Sequence, residues 1–152
     1  MEFGTIEREI YVEATLEVVF EVVSSPDHLK EWWPDDAHYE PRPGSTGEIL
    51  FGDRDSGGVV GFTVVDARPP RTFSFRWTHP VSEVATEGNS LLVTFDLAPS
   101  GAGTLLRMTE TGFREMGWDV AVLEQQYSEH VTGWDFFLPR LAPYVATLQV
   151  RP

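Results

Sequence analysis

Apolar side chains recur in steps of three and four near the C-terminus, whereas most of the chain between residue 45 and that stripe reads with a period of two. The stripe is Leu123, Tyr127, His130, Val131, Trp134, Phe137, Leu138 and Leu141. Its opposite face carries Glu124, Gln125, Ser128, Glu129, Thr132 and Asp135. This spacing predicts one long amphipathic helix after a run of antiparallel strands, lying across the apolar face of their sheet. If the sheet is strongly curved, the space between the two becomes a cavity.

Upstream, residues 6–12 alternate, with Ile6, Ile10 and Val12 on one side and mostly glutamates on the other, which predicts a half-buried strand. Thr15 is placed to cap a helix carrying Leu16, Val19, Phe20 and Val23, stopped at Ser24-Ser25-Pro26. Residues 27–33 fit a second short helix ended by Pro34, and 34–47 a loop with a short strand around 37–40. A meander follows, with strands at 48–52, 59–67, 72–78, 90–97 and 104–111. Turns are expected at 53–58, 68–71 and 98–103, with a longer connection over 79–88. Asp119 is the expected cap of the last helix, and Pro139 and Pro143 are expected to bend or end it. The order β-α-α, six strands, α is that of an α+β fold.

Composition narrows the chemistry. A chain of 152 residues suits a single domain with a substantial core, and the absence of cysteine removes disulfides, thiolate metal sites and cysteine nucleophiles. Eleven basic against 24 acidic residues give a formal charge of −13, which disfavours nucleic acid and anionic membranes as partners. No apolar run approaches the ~20 residues of a membrane span. The first five residues lack the pattern of an export signal, so a cytoplasmic location is expected. The four histidines show no metal-ligand spacing, and neither a phosphate-binding glycine loop nor a nucleophile elbow occurs. No cofactor is expected.

Alternation puts Phe73, Phe75, Trp77 and His79 on one strand face, with Leu106, Met108 and Glu110 sharing a face of another. With Phe62 and Met108, the aromatic residues Phe73, Phe75 and Trp77 are candidates to line an apolar cavity, or simply to fill it. Trp33, Tyr127, Trp134 and Phe137 are candidates from the helical side. Trp32 and Trp33 are adjacent, so one helical turn cannot bury both on the same face; one is expected to close the core end and the other to sit at a cavity mouth beside the long loop. Gly133 inside a helix costs ~1 kcal/mol relative to alanine, which close approach of helix to sheet would explain. Glu110 and His130 are the sharpest polar candidates, and two readings stand side by side. A buried carboxylate beside an imidazole would hold a ligand hydroxyl or act as general base and acid. Alternatively, Glu110 lies at a solvent-exposed strand end and His130 is a hydrogen-bonded core residue; pattern alone does not bring them together.

Several segments resemble one family in the right order along nearly the whole chain. They are Thr15, Val19 and Phe20, then Pro26-Asp27-His28-Leu29 and Trp32-Trp33-Pro34, then Pro69-Pro70 ahead of Trp77. Gly103-Thr104, Glu110-Thr111-Gly112-Phe113 and Gly133-Trp134 with Leu138 and Leu141 complete the set. The chain resembles the family named for the activator of the ninety-kilodalton heat-shock chaperone's ATPase, within the START-like, birch-pollen-allergen-like (SRPBCC) superfamily. The resemblance implies a helix-grip fold, in which a curved antiparallel sheet wraps a long C-terminal helix, with two short helices after the first strand. Superfamily relatives bind lipids, sterols or polyketides, and some cyclise or aromatise polyketides. Eukaryotic family members carry this domain beside a separate chaperone-engaging domain, for which the chain has no room. The expectation is therefore binding of an apolar or amphipathic small molecule between sheet and helix. A cyclase or aromatase using Glu110 and His130, or a co-chaperone-like interaction domain, are its rivals. A homodimer through a strand edge or the loop 79–88 is also expected to be possible.

Overall fold

The computed structural model describes residues 4–52 and 58–149, the last without its side chain. The expected hairpin at 53–58 falls almost wholly on residues outside that range. Strand β1 (Thr5–Val12) leads into helices α1 (Leu16–Ser24) and α2 (Pro26–Trp32). Thr15 caps α1 by accepting a hydrogen bond from the Val18 amide at 3.3 Å, and Pro26 opens α2, where its missing N–H costs nothing.

Six more strands follow: β2 (Asp36–His38), β3 (Thr46–Leu50), β4 (Val59–Arg68), β5 (Thr72–Trp77), β6 (Leu91–Ser100) and β7 (Gly103–Thr111). All pair antiparallel in one curved sheet of order β1-β7-β6-β5-β4-β3-β2, so the first strand closes beside the last. A register shift between Val64 and Asp66 marks a bulge in β4, a device that bends a strand. The β6–β7 hairpin is tighter than the loop expected over 98–103. Its strands pair as far as Ser100 and Gly103, because Gly101 takes the left-handed conformation (φ 57°) that a two-residue turn requires. Pro99 is tolerated in β6 because β5 no longer runs beside it after Asp96.

The inner face of the sheet carries Phe62, Val64, Phe73, Phe75, Trp77, Val93, Phe95, Leu97, Leu106 and Met108, all buried. They form one cluster with Val19, Phe20, Leu29 and Trp32 from the first helices and Trp134, Leu138, Leu141 and Val145 from the C-terminal ones. Asp119 caps α3 (Val120–Phe137), accepting from the Val122 amide at 3.0 Å. The C-terminal helix is broken at Pro139, one of the two prolines expected to bend or end it. A short 3₁₀ turn over Leu138–Arg140 redirects the chain into α4 (Leu141–Gln149). Before Trp134 the helical stripe is only half-buried, and Leu138, Leu141 and Val145 do the docking. An exposed ion pair, Arg8–Asp135 at 2.8 Å, and a hydrogen bond from the Tyr127 hydroxyl to the Thr5 carbonyl at 2.7 Å tie α3 to β1.

Candidate functional site

Glu110 enters the inner face near the end of β7, in register with Val93 of β6 and Ile6 of β1, and is completely buried. The exposed-strand-end reading is therefore overturned. Three nitrogen groups surround its side chain. The Trp77 indole N–H donates to Oε2 at 2.8 Å, the Trp134 indole N–H donates to Oε1 at 2.8 Å, and His130 Nδ1 lies 2.9 Å from Oε1. An indole nitrogen can only donate, so both carboxyl oxygens are acceptors. With Nδ1–H as the third donor, His130 keeps Nε2 for something else. Sequence spacing explains the convergence on α3, because His130 and Trp134 are one turn apart on the same face. That Trp77 meets them from the sheet follows only from strand order.

His130 is wedged edge-on to Phe113 (ring centroids 5.4 Å, planes at 90°) and against Trp77 (5.3 Å), with its side chain still 13% exposed. The exposed part faces an open cleft of about 370 Å³ between α3 and the sheet. Trp33, Phe51, Trp77, Trp134, Phe137 and Gly133 form its walls, with Glu129 at the rim. Trp33 sits at the centre of the aromatic contacts, with ring centroids 4.9 Å from Trp134 and 5.0 Å from Trp77.

Of the residues singled out from sequence, Trp33, Trp77, His130, Trp134 and Phe137 come together on the cleft, and Glu110 lies directly behind them. Phe62, Phe73, Phe75 and Met108 do not; they are fully buried in the filled part of the core. Tyr127 is engaged with Thr5 at the β1 edge. Phe51, Glu129 and Gly133 were missed as wall residues. Phe51 was findable, since it continues the period-two face of Ile49.

Two local expectations are corrected, at Gly133 and at His79. Trp32 and Trp33 are both buried, at 0% and 5% exposure; Trp33 has left the helix (φ −123°, ψ −91°), so helical facing does not govern it. Trp32 donates its indole N–H to the Val22 carbonyl at 3.1 Å. Gly133 is not a point of close approach: a Cβ built there meets nothing within 4 Å, so the glycine leaves space at the cleft. His79 does not share the face of Trp77. Thr78 adopts φ 75°, rare for a β-branched residue, and this turns the His79 ring onto Gly61 on the other side of the sheet, 3.1 Å from the Thr63 hydroxyl.

Elsewhere, burial pushes the Tyr39 phenol well above its usual range; its hydroxyl donates to the Ser24 carbonyl at 2.7 Å. Among the described residues no three histidine or carboxylate side chains gather to hold a metal ion, and no helix is long and apolar enough to cross a membrane.

A family model described as Activator of Hsp90 ATPase homolog 1-like protein matches residues 13–146. No curated protein matches the chain. Among solved structures, protein MLL2253 from Mesorhizobium loti is similar at 25% identity and a TM-score of 0.74, over 94% of this chain and 97% of the other. The Aha1 dimer from Colwellia psychrerythraea is similar at 20% identity and 0.69, covering 93% and 95%. CalU16 from Micromonospora echinospora is similar at 19% identity and 0.67, covering 99% and 83%. The last two speak for the fold.

Proposed function

The chain belongs to the Activator of Hsp90 ATPase homolog 1-like family, and within it we propose that this cleft holds an apolar or amphipathic small molecule in the cytoplasm. The observation that carries the reading is the fixing of His130. A fully buried carboxylate that accepts from two indoles also holds one nitrogen of an imidazole on the wall of an aromatic-lined opening. Small-molecule sites combine such apolar walls with one or two oriented polar groups. Aromatic residues bury the guest, and Nε2 of His130 meets a hydroxyl or amide on it. The test is native mass spectrometry of protein purified without denaturation, followed by tryptophan-fluorescence titration with a lipid, sterol and polyketide panel. A co-purifying molecule, or a panel member that binds and is lost in His130→Ala, supports the reading. An empty protein that binds none of the panel ends it.

A second reading is favoured by the same 2.9 Å contact: Glu110 orients His130 as a general base and acid for cofactor-free cyclisation or aromatisation of a polyketide-like substrate. Turnover of a poly-β-ketone that falls at least a hundredfold in His130→Gln, with binding retained, would raise it above simple binding. Chaperone engagement by this chain and self-association are lesser proposals, suited to ATPase assays and light scattering.

A further inference from the structure

The chemistry of the cleft wall also bears on the charge of its guest. Resting on the binding reading above, we infer that the cleft selects an organic cation, a small alkylammonium group, over neutral or anionic molecules of the same shape.

Three observations converge. First, the opening is walled largely by aromatic rings, a class of side chain whose π system attracts cations. Second, two of those rings are polarised. Trp77 and Trp134 each donate the indole N–H to Glu110 at 2.8 Å. Donation to an anionic acceptor pushes electron density back into the indole, so both faces become more negative. Third, beside the carboxylates at the site, Glu110 behind the rings and Glu129 on the rim, the described wall residues include no lysine or arginine. An anionic head group entering here would find neither of them among those residues as an ion-pair partner. Arg140, outside that wall, lies over Phe136 and Phe137, 5.7 and 5.6 Å from their ring centroids, so the indole end of the cleft and not its Phe137 end is the place for a second cation. The chain's formal charge of −13 adds a long-range field of the same sign.

The experiment compares three soluble probes of matched shape: choline, its neutral carbon isostere neohexanol, and the anion tert-butylacetate. Each is titrated into the intact protein while the indole N–H resonances are followed by NMR. Choline should bind about tenfold more tightly than neohexanol, and tert-butylacetate more weakly than either. In Gly133→Leu, whose side chain would fill the opening, the choline-induced shifts should vanish. Neohexanol binding as tightly as choline, or the anion binding best, overturns the inference while leaving the cleft a binding site. Choline shifts that persist in Gly133→Leu overturn it too, since the cation is then on the acidic surface. If no probe binds, the inference fails; the panel of the preceding section then decides whether the binding reading fails with it.

Discussion

The two ends of the space enclosed by the sheet and its helices are built from different aromatic residues and behave differently. At the closed end, Tyr39, Phe62 and Phe75 stack face to face at 4.3 and 4.2 Å, with Phe73 alongside at 6.0 Å from Phe75. The phenylalanines need no hydrogen bond, and the stack leaves Phe62, Phe73 and Phe75 with no exposed surface. At the open end Phe51 and Phe137 are joined by three indoles, and each indole brings an N–H that must be satisfied if buried. Trp77 and Trp134 meet that demand on one carboxylate, and His130 shares it. Phenylalanine therefore fills volume, while tryptophan here recruits a charge into the core and holds an imidazole at the surface. The difference separates a region that stabilises the fold from one equipped for recognition.

The strongest way to break this contrast is at the closed end. Phe62→Ala removes the ring sandwiched between two others and should cost ~3–5 kcal/mol of unfolding free energy, read as a lower urea midpoint with unchanged slope. A loss under ~1 kcal/mol would mean that the stack is not close-packed. The parallel change at the open end is Glu110→Gln. It preserves shape but sets an amide N–H₂ against groups that only donate, so it should cost ~2–3 kcal/mol. It should also shift tryptophan emission and loosen His130, visible as a change in the imidazole NMR signals. Unchanged emission would show that the indoles do not depend on the carboxylate.

The closed end also holds a titratable group. Tyr39 is pushed upward from its ordinary value of 10.0 by burial. Above pH 10 the unfolded chain gives up the phenolic proton while the folded one keeps it, so the unfolded state binds fewer protons and stability falls. The full contribution is present below pH 10. The slope from this one group should be about −1.4 kcal/mol per pH unit above pH 10. Tyr39→Phe should lose ~1 kcal/mol at neutral pH, through its hydrogen bond to Ser24, yet show a flatter alkaline limb. Equal alkaline slopes in both proteins would place the titration elsewhere.

What could be read in the sequence divides along the same line. The helix caps at Thr15 and Asp119, the period-two strands and the stripe on α3 depend on local spacing, and they were legible. So was the candidacy of Glu110 and His130. Their meeting was not, because it depends on β7 lying two strands from β5 in one sheet and on the depth at which α3 docks. The reversal at Thr78 escaped for a different reason: nothing in a threonine announces a positive φ, and alternation counted through it placed His79 on the wrong face. Trp33 was legible as a candidate, but its departure from the helix expected over 27–33 was not, because nothing local marks the last helical residue before Pro34.

Gly133 is the smallest perturbation and the one that bears most directly on why the open end stays open. Glycine inside a helix is disfavoured by ~1 kcal/mol relative to alanine. Had the glycine been required by tight packing against the sheet, a methyl group there would clash and the protein would lose stability. The structure leaves that position facing the cleft, with nothing within 4 Å of a Cβ. Gly133→Ala should therefore stabilise by up to ~1 kcal/mol, read as a raised urea midpoint. The same methyl group takes space from the opening, so a cleft ligand should bind less tightly to the more stable protein. Stability and affinity moving in opposite directions is the signature of a residue kept for room and not for structure; if both fall together, the glycine is a packing residue after all.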